Sequence, residues 1–235
     1  MLKSKSALPK ELESLINRLS HMAGVLKGSR HFLSRLRYYF EQSKENESKK
    51  YKRIYFNKTT LEDLSLWLKF LDKAHEGVSM NILVFRTPDR VYRTDACEYG
   101  MGGIFQDGSL WRWIIPLIYL HRAHITLLEF LAMIVPVWMD ILDGILKPQD
   151  CFLSMGDNSN AVAWMVKSNF KLAEEDLPDQ QAKLKASRKL ASLVLDYSLA
   201  QYSQWFCGDD NVIPDICSRD LHLCMVHLFH RFFIF

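Results

Sequence analysis

Four acidic residues stand in surroundings that do not favour acids. Asp95 closes the apolar-leaning run that holds Val91 and Tyr92, Glu129 lies in "TLLEFLAMI" among Leu127, Leu128, Phe130 and Leu131, Asp157 follows "CFLSMG", and Asp215 follows Pro214 in "NVIPDICSRD". A lone buried carboxylate is unfavourable, so such a group is paired, neutralised or bound to a cation. Carboxylates that converge from separate parts of a chain repel one another unless divalent cations hold them. Oxygen-only ligands select hard ions, which means Mg²⁺ or Mn²⁺.

Each acid also has a plainer reading. Glu129 can fall on a narrow exposed helical stripe with Thr126. Asp157, Asn158 or Ser159 can cap a helix. Asp215 after Pro214 suits the first turn of a helix, where the dipole favours negative charge. The combination is what these readings leave out. Four such acids meet only if the sheet order sets the first and fourth strands side by side.

The elements that would position them follow from periodicity. "LPKELESLINRLSHMAGVL", "SRHFLSRLRYYFEQS" and "TTLEDLSLWLKFLDKAHEG" carry apolar residues at helical spacing, the third opened by Thr60 as cap and closed at Gly77. Beyond them the pattern changes to short strands over 80–86, 91–96, 100–106 and 109–115, with Asp107-Gly108 marking a hairpin. A long helix is expected over 125–143, with Pro136 inside it as a kink. A buried strand over 151–155, a helix over 158–167, a long helix over 179–200, a strand over 202–206 and a short final helix complete the plan. The fold class is therefore α/β, with a mixed sheet flanked by helices and preceded by a small helical region. Trp111 and Trp113 share a strand face and read as core.

"TDACEYGMGG", "LLEFLA", "GDNSNAVAWM" and "NVIPDICSRD", in that order, resemble the ribonuclease H domain of retroelement reverse transcriptases of DIRS or LTR type. The resemblance covers residues 79–220 and implies a ribonuclease H-like five-stranded sheet. Residues 1–78 resemble the helical thumb and connection region that precedes this domain, and 221–235 form a short apolar tail. The only paired aspartates, Asp209 and Asp210, lie far downstream, so no polymerase site is expected.

The resemblance makes Asp95, Glu129, Asp157 and Asp215 both the catalytic and the metal-binding residues. It implies two Mg²⁺ ions, with Mn²⁺ as a substitute. Asp95 would bridge them, Glu129 and Asp157 would complete one side, and Asp215 the other. The implied activity is cleavage of the RNA strand of an RNA–DNA hybrid, leaving a 5′-phosphate and a 3′-hydroxyl. The alternative is a fragment that binds nucleic acid without cutting it. A glutamate in the first long helix speaks against an integrase, which carries its glutamate late. The same resemblance names an upstream polymerase domain as partner and lets Gly100, Gly102 and Gly103 bring the second strand close to the first and keep the backbone near the substrate uncrowded. A tight hairpin or bulge explains these glycines equally well. Phosphate contacts fall to Arg93, Lys167, Lys171, Lys183, Lys185 and Arg188, all of which also read as solvated surface.

Composition agrees with this without requiring it. The 235 residues carry a net charge of +3, but residues 1–60 hold 14 Lys/Arg against 5 Asp/Glu, and the remainder holds 16 against 22. A basic N-terminal part suits a polyanionic partner, and a solvated helical surface explains the same counts. Five scattered cysteines without CxxC spacing form neither a disulfide framework nor a zinc site and point to a reducing compartment. The N-terminus shows no signal-peptide pattern, and the apolar end "LCMVHLFHRFFIF" is too short for a membrane span. An intracellular protein, cytoplasmic or nuclear and without a membrane partner, is the expectation.

Overall fold

The computed structural model describes residues 1–26, 28–44, 52–77, 86–117, 120, 123–167 and 178–219, without the side chains of 166–167 and 178–180. The expected strand over 80–86 (Arg86 apart), Lys171 and the tail over 221–235 lie outside these residues. The described residues fall into two compact units, one within 1–77 and one made of 86–166 with 178–219.

In the first unit, β1 (Ser6–Ala7) pairs antiparallel with β2 (Ile54–Tyr55). The helix α1 (Pro9–Met22) starts on Pro9, whose missing N–H loses nothing in the first turn, and the Glu11 carboxylate accepts the Leu8 N–H at 2.8 Å. The second helical stretch is divided. A 3₁₀ turn over Ser29–Leu33 follows Gly28, at φ +77°, and only then does α2 (Ser34–Lys44) begin. The third helix, α3 (Lys58–His75), is capped by Asn57 rather than Thr60. Asn57 Oδ1 accepts from the Thr60 N–H and from both threonine hydroxyls, each at 2.8 Å, so Thr60 donates to the cap instead of forming it. Leu12, Phe32, Leu36, Trp67 and Phe70 are buried, and an Arg35–Asp63 ion pair at 3.1 Å is buried with them.

The second unit is α/β, a mixed five-stranded sheet flanked by helices. Its strands are β3 (Arg90–Ala96), β4 (Gly100–Phe105), β5 (Leu110–Ile114), β6 (Cys151–Gly156) and β7 (Ala200–Trp205), in the order β5-β4-β3-β6-β7. The first three are antiparallel, and β3–β6 and β6–β7 are parallel. The first and fourth strands of the sheet are therefore neighbours, as convergence of the acids requires. The β4–β5 turn is closed by Asp107-Gly108. Gly108 takes φ +84°, and Asp107 Oδ1 accepts the Ser109 N–H at 2.9 Å.

Four helices complete the unit: α4 (Ile125–Leu142), α5 (Ser159–Lys167), α6 (Pro178–Asp196) and α7 (Val212–Arg219). By length and composition α4 could pass for a membrane span, but it is the core helix, with 72% of that window buried. Phe130, Met133 and Val137 pack with Tyr92, Phe105 and Phe152 from the sheet. The helix continues through buried Pro136, and the Ser154 hydroxyl donates to the Met133 carbonyl one turn earlier. Trp111 is buried in the core and Trp113 packs against it. The described cysteines, Cys97, Cys151, Cys207 and Cys217, are all free thiols.

Candidate metal centre

Asp95 is the penultimate residue of β3, paired in register with Gly102. It is 2% exposed. Glu129 comes from the second turn of α4 and is 5% exposed, so the exposed-stripe reading does not hold; Thr126 is buried as well. Asp157 is the first residue after β6. Of the three residues the sequence offers as cap for α5, Asn158 takes the role and Asp157 does not: Asn158 Oδ1 accepts the N–H groups of Asn160 and Ala161, both at 3.1 Å. The Asp157 carboxylate is left for other work, while its backbone carbonyl takes the indole N–H of Trp205 at 2.6 Å.

Carboxylate oxygens of Asp95, Glu129 and Asp157 all lie within 4.8 Å of one another. Burial pushes the Glu129 carboxyl up to about 9, with Asp95 and Asp157 adding to the rise and a hydrogen bond from the Ala96 backbone opposing it. Burial also pushes Asp95 up to about 6; a hydrogen bond from Ser218 works against this, and Asp157 and Asp215 reinforce it. The proton held on Glu129 therefore lessens the repulsion among these acids when no cation offsets it.

Asp215 is placed differently from the other three. It stands in the first turn of α7, close enough to raise Asp95 electrostatically, but its carboxylate pairs with Arg219 Nε at 2.5 Å. Three of the four acids converge, and the fourth stands beside them in an ion pair. Arg219 in turn favours the ionised forms of Asp95 and Glu129.

Two of the β4 glycines serve α7, and the third serves the neighbouring strand β3. A Cβ on Gly100 would lie 2.4 Å from the Ser218 carbonyl oxygen, and one on Gly102 would lie 2.6 Å from Cys217 Cβ. A Cβ on Gly103 would lie 2.4 Å from the Arg93 carbonyl oxygen. At Gly100 and Gly102 the strand is thinned so that a helix backbone can rest directly on it, which neither a hairpin nor a substrate requirement describes, while Gly103 lets β4 lie close to β3 as expected. That helix brings Ser218 Oγ to 2.5 Å from Asp95 Oδ2. Asn211, just before α7, donates from Nδ2 to the Thr94 carbonyl at 3.2 Å and reaches Asp95 Oδ1 at 3.5 Å. Asn211, Ser218 and Arg219 carry no mark in the sequence that sets them apart as site residues. Their spacing from Asp215 is visible in "NVIPDICSR", but their attachment to Asp95, more than a hundred residues away, is not.

The donor set fits a hard divalent cation. Three carboxylates share one small space, and Asn211 Oδ1 beside them is a buried acceptor without a hydrogen-bond donor. Of the expected phosphate contacts, Arg93 is exposed on β3 two residues before Asp95, Lys185 is exposed on α6, and Arg188 is half-buried there. Lys183 places its ammonium 3.5 Å from the centre of the Trp164 ring. Lys167 ends α5, and Lys171 lies outside the described residues.

No family model matches the sequence, and no curated protein sequence does. Among solved structures the chain is similar to ribonuclease H1 of Halobacterium salinarum, at 15% identity over 56% of this chain and 95% of that one, with a TM-score of 0.42. It is similar to the N-terminal RNase H domain of a Mycobacterium tuberculosis protein, at 17% identity over 56% of this chain and 91% of that one, TM-score 0.41. The protease–reverse transcriptase of prototype foamy virus shares 11% identity over 85% of this chain and 24% of its own, TM-score 0.31.

Proposed function

We propose that this chain is a metal-dependent endonuclease of ribonuclease H type, cutting the RNA strand of RNA–DNA hybrids, and that it derives from a retroelement reverse transcriptase. The observation that carries the reading is the convergence of Asp95, Glu129 and Asp157, from β3, α4 and the end of β6, within 4.8 Å. The order of the sequence motifs supports the substrate class and the retroelement origin. An intracellular setting and an upstream polymerase partner belong to the same reading.

Asp95, Glu129 and Asp157 would hold Mg²⁺ or Mn²⁺, with Asp215 next to them. Bound there, the ions would lower the pKa of an attacking water and stabilise the departing 3′ oxygen. The chain's own contribution is placement. The β3–β6 pairing sets Asp95 beside Asp157, and α4 presents Glu129 from within the core. Deprotonation of Glu129 and Asp95 accompanies loading, since both carboxyls are held above their ordinary range. Arg93 on β3 would meet the phosphate backbone.

The test is incubation of the full chain with a labelled RNA–DNA hybrid and Mg²⁺, with Asp95→Asn beside it. Products carrying 5′-phosphate and 3′-hydroxyl ends are expected from the native chain only. Cleavage that survives in the variant rejects the assignment. Binding without cleavage supports the second reading, a non-cutting nucleic-acid-binding fragment, for which the Asp215–Arg219 ion pair is the specific observation.

A further inference from the structure

We propose that Ser218 is a positioning residue of this metal centre: its hydroxyl fixes the rotation of the Asp95 carboxylate, and so the oxygen that Asp95 presents to the cation. The inference rests on the metal-centre reading above and adds to it a residue from outside the acid set. The terminal torsion of an aspartate is broad and roughly two-fold, so the side chain alone does not choose an orientation. Something must choose it, because metal ligands are held by the groups that hydrogen-bond to them.

Two groups reach Asp95 from the segment that bears the fourth acid. Asn211 Nδ2 is 3.5 Å from Oδ1, at the limit of a hydrogen bond, and its better bond goes to the Thr94 carbonyl. Ser218 Oγ is 2.5 Å from Oδ2 and is fully buried. Its position is itself fixed. The Ser218 carbonyl accepts the Cys97 thiol at 3.2 Å and occupies the space that a Cβ on Gly100 would take. The rotation of Asp95 is thus set by how α7 seats on β4.

The competing account is that Ser218 merely satisfies its own helix, since its hydroxyl also lies 2.9 Å from the Asp215 carbonyl oxygen. A hydroxyl has one proton, so it donates to only one of these two oxygens at a time. Metal affinity separates the two accounts.

The experiment is calorimetric titration of the metal-free full chain with Mn²⁺, for the native protein and Ser218→Ala, with far-UV circular dichroism as the check on folding. The variant is expected to bind Mn²⁺ about tenfold more weakly or worse, the usual loss when a group orienting a metal ligand is removed. The Mg²⁺ concentration for half-maximal cleavage should rise by a similar factor, with a smaller fall in rate at saturating Mg²⁺. Should Ser218→Ala not fold, the near-isosteric Ser218→Cys, a weak donor, is held to the same expectation. Mn²⁺ affinity within twofold of native in the folded variant overturns the inference and leaves the metal centre standing. A native chain that binds no Mn²⁺ removes the metal centre and this inference with it.

Discussion

In the metal-free protein Glu129 holds its proton through neutral pH, because ionising it would place an unsolvated charge beside Asp95 and Asp157. Its carboxyl moves from an ordinary 4.5 in the unfolded chain to about 9 in the folded one. The folded state therefore binds more protons than the unfolded state across that interval. Stability is fully present below about pH 4.5 and is lost as pH rises through 9, and Asp95 adds a smaller loss up to about 6. Thermal melts in chelator from pH 5 to 9 should show a falling midpoint. Glu129→Gln should flatten that fall, raise the midpoint at pH 8, and abolish Mg²⁺-dependent cleavage. Added Mn²⁺ should raise the native midpoint more at pH 8 than at pH 5, since protons compete with the metal. A melting midpoint flat with pH in chelator would contradict the protonated Glu129. The neighbouring pair Asp157 and Asn158 allows a second separation. Asn158→Ala removes the cap of α5 and should cost about 1 kcal/mol of stability with metal affinity nearly unchanged. Asp157→Asn should leave the cap intact and reduce Mn²⁺ affinity by tenfold or more. Denaturation and calorimetry on both variants give the comparison, and equal losses on both axes would return Asp157 to a structural role.

At the scale of elements, the contact between α7 and β4 is the feature on which the site depends. Gly102→Ala would set a Cβ 2.6 Å from Cys217 Cβ and 2.8 Å from its backbone carbon, and a helix backbone cannot step aside as a flexible side chain can. Overpacking of this kind costs about 1–3 kcal/mol. Urea denaturation should show that loss, and Mn²⁺ affinity should fall with it, because Ser218 leaves Asp95 when α7 lifts. A Gly102→Ala chain with native affinity would show that α7 does not orient Asp95. Much of this layer is legible from the residues. Alternation and the Asp107-Gly108 turn locate the three antiparallel strands to within about a residue, and 3.6-residue periodicity locates α4. Local misreadings have local causes. Thr60 gives way to Asn57 because an extended Asn57 can accept three donors at once, and a 3₁₀ turn replaces the start of a helix after a left-handed glycine. The purpose of the glycines is another matter. Nothing near Gly100 and Gly102 in the sequence says that Ser218 and Cys217 will lie on them, so a long-range approach reads as a local bend. Glu129 is ambiguous for the same reason, since one polar neighbour at i−3 looks like an exposed stripe until the sheet covers it.

For the whole molecule the charge asymmetry is the property most open to measurement. Residues 1–60 carry a net +9 and the remainder −6, so the acids of the metal centre belong to the part with the unfavourable sign for nucleic acid. On the proposed function, affinity for a hybrid would come mainly from basic groups outside the centre, and because phosphate neutralisation releases counterions, such binding would weaken as salt rises. Lys3, Lys5 and Lys10 are exposed in the N-terminal unit, and Arg93 is exposed beside Asp95. With Asp95→Asn to keep the substrate whole, fluorescence anisotropy on a labelled hybrid should give log K falling linearly with log salt. Each lost phosphate contact reduces that slope by about 0.9. Arg93→Gln should lower it by about 1, and joint replacement of Lys3, Lys5 and Lys10 by Gln by about 2 or more. A triple variant with the native slope would assign the N-terminal charge to solvation, and would leave Arg93 and the α6 cations Lys185 and Arg188 as the surface proposed to hold the hybrid.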